Sequence, residues 1–174
     1  MAVDRENDLS NRTIKANQQS VHPDGSYVLV VLNRALRGED NPVIDAARTH
    51  ASRLNIDVVV YSELDETKSY ASERLSYFVL GAYREVAIAL AKKNIRCVQI
   101  IKKVGDKDVL RSLALKAAAI YTDEDYTHWD RAKIQRILNG QSARTPPSSR
   151  SKWWLGRRYK AKPSRYILGF QYIS

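Results

Sequence analysis

Four clusters of polar residues stand where side chains could meet a ligand. The first is Asn33, Arg34, Arg37, Glu39 and Asp40, the second Ser62, Glu63 and Asp65, the third Lys102, Lys103, Gly105 and Asp106, and the fourth Thr122, Asp123, Glu124 and Asp125. Each follows or ends an apolar run, and in open α/β sheets ligands sit outside the carboxyl ends of strands. The chemistry on offer is recognition rather than bond making. Ser62 has no base near it in sequence, His22, His50 and His128 are scattered, and no Cys and His group has metal-ligand spacing. Lys102 and Lys103 with Gly105 could touch a phosphate, but Walker-type spacing is absent and a solvated turn is the plainer reading. The acids after Thr122 also read as helix-start chemistry, because carboxylates near a helix N-terminus are stabilised by its dipole.

The elements that must position these clusters alternate. Tyr27 to Leu32 is a continuous, β-branched apolar run, which suits a strand buried on both faces of a parallel sheet. After the loop, a helix opens at Asn41 with Pro42 in its first turn, where a missing N–H costs nothing. Val43, Ala46, Ala47, His50, Ala51 and Leu54 then fall on one helical face, and His50 reads as a partly buried structural histidine. Ile56 to Tyr61 is the second strand, delivering Ser62, Glu63 and Asp65 at its end. Leu75, Phe78, Val79, Ala82, Val86, Ala89 and Leu90 mark a long amphipathic helix, closed by Lys92, Lys93 and a left-handed Asn94. Arg96 to Ile101 is the third strand. Asp106 or Asp108 caps a helix with Val109, Leu110, Leu113 and Ala117 inward, and Ala118 to Thr122 is the fourth strand. Thr127 and Asp130 form a capping box that opens a last helix with Ile134, Ile137 and Leu138 inward. Four strand and helix alternations predict an α/β, Rossmann-like three-layer fold around a parallel sheet.

The chain has 174 residues, 44% of them apolar, which suffices for one ordinary core. The divisions expected are a disordered arm over 1–25, an α/β domain over 26–140 and a basic tail over 141–174. A formal net charge of +10 invites a nucleic-acid reading, but the tail holds Arg144, Arg150, Lys152, Arg157, Arg158, Lys160, Lys162 and Arg165 without one acid. The domain itself is nearly balanced, so the basic character says nothing about its folded surface. The single Cys97 lies in an apolar run and reads as a buried, reduced thiol. With no leader-like amino end and no apolar run long enough to span a bilayer, a soluble, intracellular protein of the cytoplasm or nucleus is expected.

The run Asn33-Arg34-Ala35-Leu36-Arg37-Gly38-Glu39-Asp40-Asn41, with an alanine-rich helix after it, resembles the S-R-D-x-R-x-x-D-N segment of class II cyclobutane pyrimidine dimer photolyases, where Arg34, Arg37, Asp40 and Asn41 match. Arg74, Tyr77-Phe78-Val79-Leu80-Gly81 and Glu85 are similar to the R-x-x-F-x-L-x-G-L-x-E pattern on the long helix of the photolyase and cryptochrome amino-terminal domain. The resemblance covers Tyr27 to Leu138 and implies the antenna domain of that family, with sheet order 3-2-1-4 and a fifth strand beyond. That order implies a crevice between strands one and four, and a site lined by Asn33, Arg34, Arg37, Ser62, Glu63, Thr122 and Asp123. The antenna pigments of the family are a deazaflavin, a folate or a flavin mononucleotide. Forked arginine donors suit the acidic tail or phosphate of such a ligand. Ala35 departs from the family's acidic residue at that position.

The family's helical domain, with its FAD, electron-transfer tryptophans and lesion pocket, has no counterpart in these residues. The resemblance therefore implies a photolyase-related domain that would act on DNA only with a separate FAD-binding polypeptide, and FAD enters only with that half. From Gln141 the composition changes abruptly, and two origins stay open: a frameshift or truncation product, and a basic arm whose Trp153, Trp154, Tyr159 and Tyr166 stack on bases while its arginines bind DNA phosphates. A plainer reading has Tyr166 to Ile173 docking as an edge strand. Alternatives for the whole chain are a free-standing nucleotide-binding domain and a nucleic-acid-binding protein that acts through this tail.

Overall fold

A computed structural model of the chain describes residues 9, 11–15, 20–67, 72–123 and 166–169. Among the described residues the elements order as β1 (Thr13–Lys15), β2 (Tyr27–Leu32), α1 (Pro42–Leu54), β3 (Asp57–Asp65), α2 (Glu73–Lys92), β4 (Arg96–Lys102), α3 (Val109–Ala114), β5 (Ala117–Asp123) and β6 (Tyr166–Gly169). The sheet runs β1-β6-β5-β2-β3-β4. Its four strands β4, β3, β2 and β5 are mutually parallel, so the chain has an α/β fold.

Strand alternation explains the layers, since successive side chains of a strand point to opposite faces. Val28, Val30, Leu32, Val58, Val60, Ala119 and Tyr121 form one core with Val43, Ile44 and Ala47 of α1 and Val86 and Leu90 of α2. Leu29, Val31, Val59, Tyr61 and Ile120 form the other, against Leu110 and Ala114 of α3. Every residue of β5 is buried, as is β2 after Tyr27, which is why these segments read as unbroken apolar runs.

The order agrees with the expected 3-2-1-4 over the parallel strands and departs beyond β5. There, β6 pairs antiparallel with β5, and β1 pairs parallel with β6. The expected edge strand after Tyr166 thus lies inside the sheet, and Thr13–Lys15, within the arm expected to be disordered, forms the edge beside it. The helix expected after Thr127 falls outside the described residues.

Turn chemistry closes each helix as its residues dictate. Asn41 caps α1 by accepting from Val43 N, with Pro42 following, and Asn55 ends it in the left-handed region. Ser72 caps α2 and Asp108 caps α3. Asn94 adopts the positive φ expected after α2. Two departures concern packing faces. Ile44, not Leu54, completes the buried stripe of α1, and Leu75 and Phe78, expected inward on α2, are exposed. Periodicity locates a stripe, whereas the reach of the sheet beneath it decides how much of that stripe is covered. Among the described residues no helix is long and apolar enough to cross a membrane.

Candidate functional site

The β2–α1 loop and the end of β5 meet between two neighbouring strands, one followed by a helix on one face of the sheet (α1) and the other preceded by a helix on the opposite face (α3). Asp123 is the centre of this meeting. Its carboxylate accepts backbone N–H bonds from Asn33 at 3.0 Å, Arg34 at 2.7 Å and Ala35 at 2.8 Å, and it is only 7% exposed. Beside it, Asn33 Nδ2 donates to Thr122 Oγ1 at 3.0 Å. Three successive amide groups aimed at one point make a nest for an anion. In this protein the anion is the chain's own carboxylate.

The rest of the loop is held with equal economy. Asn41, 1% exposed, donates through Nδ2 to the carbonyls of Ala35 at 3.0 Å and Arg37 at 2.8 Å, while its Oδ1 caps α1. Asp40 sits at φ 45° to bring the chain round. Gly38 passes so close to α2 that a Cβ there would lie 2.6 Å from Ala89 Cβ and 3.1 Å from Val86 O, and Lys93 Nζ donates to its carbonyl at 2.8 Å. Sequence reasoning gave Asn41 the cap and a place in the matched motif, Lys93 the close of α2 and Gly38 no role, because the contact of Gly38 with α2 joins distant parts of the chain. The side chains of Arg34 and Arg37 are exposed.

β3 changes the second cluster most. It continues to Asp65, four residues past the expected end, and pairs with β4 throughout that extension. Ser62 and Glu63 therefore lie within a strand and face opposite sides of the sheet. Ser62 is fully buried, and its Oγ has no hydrogen-bond partner among the described residues. Glu63 accepts from Tyr61 Oη at 2.6 Å. Burial, and after it this bond to Glu63, pushes the Tyr61 phenol well above its ordinary range. Asp65 ends the strand by accepting from Thr67 N and Oγ1. Of the expected site residues, the fold brings Asn33, Thr122 and Asp123 into direct contact, leaves Arg34 and Arg37 exposed on the same loop, and sends Ser62 and Glu63 to separate layers.

The third cluster is a turn around an exposed carboxylate. Asp106 accepts from Lys103 N at 2.8 Å, and Gly105 takes φ 88°. His50 packs edge-on against Tyr121, with Nδ1 3.0 Å from the phenol oxygen. Burial, then the Arg53 charge, lowers the pKa of His50, while burial pushes the Tyr121 phenol up to about 12. Cys97, expected buried, is half-buried, and that burial raises the pKa of its thiol. No group of three or more His, Cys, Asp or Glu side chains among the described residues is placed to hold a metal ion. The site exposes two arginine side chains on a backbone held by Asp123, with its amide nest already filled. Neither a protein-family model nor a curated protein matches the chain.

Proposed function

We propose that the chain is a photolyase-related α/β domain that binds an antenna-type pigment with an acidic tail or phosphate, and that the FAD-binding half of such an enzyme lies outside these residues. The observation that supports this reading is the display of Arg34 and Arg37 from a loop clamped to Asp123 at the junction of β2 and β5. Because Asp123 fills the backbone nest, the anionic end of the ligand meets the arginine side chains. A fork of donors held on a rigid loop loses little entropy on binding an oxyanion.

The test is visible and near-ultraviolet absorption of the purified protein, then titration with flavin mononucleotide, a deazaflavin and a folate, with adenosine monophosphate as a colourless competitor. Binding of a pigment, weakened at least about tenfold by Arg34→Ala or Arg37→Ala, is expected, since a charged hydrogen bond contributes about 1.5–3 kcal/mol. Binding of the adenine nucleotide alone would replace this reading with a free-standing nucleotide-binding domain. Binding unchanged in both variants would remove the site from this loop.

A further inference from the structure

The helix α2 is uneven along its length. Its buried side chains, Tyr83, Val86 and Leu90, all come from the carboxyl-terminal half. The amino-terminal half leaves Tyr77 81% and Phe78 77% exposed. Arg74, Gly81 and Glu85 are exposed as well, and Ile88 is 45% exposed. Two large aromatic side chains adjacent in the open make an apolar patch of the kind that marks interaction surfaces.

Spacing says which partner. Arg74, Phe78, Gly81, Glu85 and Ile88 are separated by four, three, four and three residues, the repeat with which one helix seats against another along a seam. This seam is complementary to its own reverse. With two copies of α2 side by side and antiparallel, and Phe78 of one level with Gly81 of the other, Arg74 of each falls level with Glu85 of its neighbour. A two-fold axis makes each of these pairings occur twice. A Cβ built on Gly81 would meet nothing within 4 Å, so the seam carries an open dent where the neighbouring ring needs one. Neither Arg74 nor Glu85 makes an ion pair among the described residues.

We propose that the exposed stripe of α2 docks on the same stripe of a second copy of this chain, antiparallel, with Phe78 over Gly81 and Arg74 paired with Glu85. The seam from Arg74 to Ile88 is about 21 Å long at 1.5 Å per residue, which puts its buried area at the low end for specific association. The dimer is accordingly weak and reversible. The inference stands independently of the ligand proposed above.

Sedimentation velocity over about 1 µM to 1 mM, the range where such a small interface equilibrates, reads it directly. The wild-type chain is expected to shift from monomer to dimer across this range. Arg74→Glu and Glu85→Arg are each expected to weaken association at least about tenfold by setting like charges level. Their equimolar mixture, and the double variant, restore it, because only a two-fold antiparallel pairing puts the swapped charges opposite one another. Gly81→Leu is expected to remain monomeric while its thermal midpoint holds or rises, since leucine favours a helix more than glycine does. A wild-type chain monomeric throughout overturns the proposal, and so do single variants that associate like wild type or fail to complement one another on mixing.

Discussion

Two loops leave the carboxyl ends of parallel strands carrying basic residues, and a carboxylate organises each. After β2, Asp123 gathers three backbone N–H groups of residues 33–35 from the neighbouring strand, at 7% exposure. After β4, Asp106 accepts one N–H, from Lys103 three residues before it, and stands in solvent. The first carboxylate ties two elements together and replaces the water its amide donors would otherwise need. The second shapes a turn that water could shape almost as well. The Arg34 and Arg37 side chains therefore start from a backbone tied to a neighbouring strand, whereas Lys103 starts from a turn tied only to itself. Local sequence resemblance between two basic loops says little about which one can present a ligand site.

The contrast is sharpest in Asp123→Ala set against Asp106→Ala. The first leaves three inward-facing amide donors without an acceptor and is expected to cost about 3 kcal/mol or more, with Asp123→Asn costing less because one oxygen remains. The second is expected to change stability little, as for most exposed positions. Urea denaturation midpoints decide it, and equal losses would dissolve the distinction between the loops. Asn41→Ala removes a cap and two loop bonds together and is expected to cost about 2 kcal/mol by the same measurement. Next come the glycines. Gly38→Ala forces a methyl against Ala89 and is expected to cost about 1–3 kcal/mol. Gly105→Ala has open space but a φ of 88°, and should cost about 1 kcal/mol. The order would reverse if the first loop could back away from α2.

The smallest effect concerns pH. His50 has a lowered pKa in the folded state, so between that value and its ordinary 6.5 the unfolded chain binds more protons. Stability then falls as pH drops through this window and is flat above it. The thermal midpoint should decline between pH 7 and pH 5 in the wild type, and His50→Gln should flatten that decline. An unchanged slope would mean that other groups carry it.

Much of the architecture could be read from residue order. β2 and β5 are buried on both faces, and their unbroken apolar runs announced it. Asn41-Pro42 and Asn94 marked helix ends through local chemistry alone. Ser62 to Asp65 was misjudged because two of the four side chains that alternate there are charged, and alternation at a strand end resembles a loop. The clamp on Asp123 was hidden for a different reason: its donors lie some ninety residues earlier, and nothing local distinguishes an acid that caps a helix from one that binds a distant loop. Phe78 illustrates a third limit. Its spacing puts it on the edge of the apolar stripe, but the side chains that α2 buries, Tyr83, Val86 and Leu90, are turned away from it round the helix.

The place of β6 also bears on the order in which the molecule can assemble. β1 appears early in the chain, yet its neighbour in the sheet is β6, near the other end. While the chain emerges from a ribosome, β2 to β5 can find one another as each is made, but β1 has no strand to join until Tyr166–Gly169 is out. Pairing across so long a separation closes a large loop and comes late for entropic reasons. The central parallel strands can therefore pair before β6 and β1 join them on the β5 side.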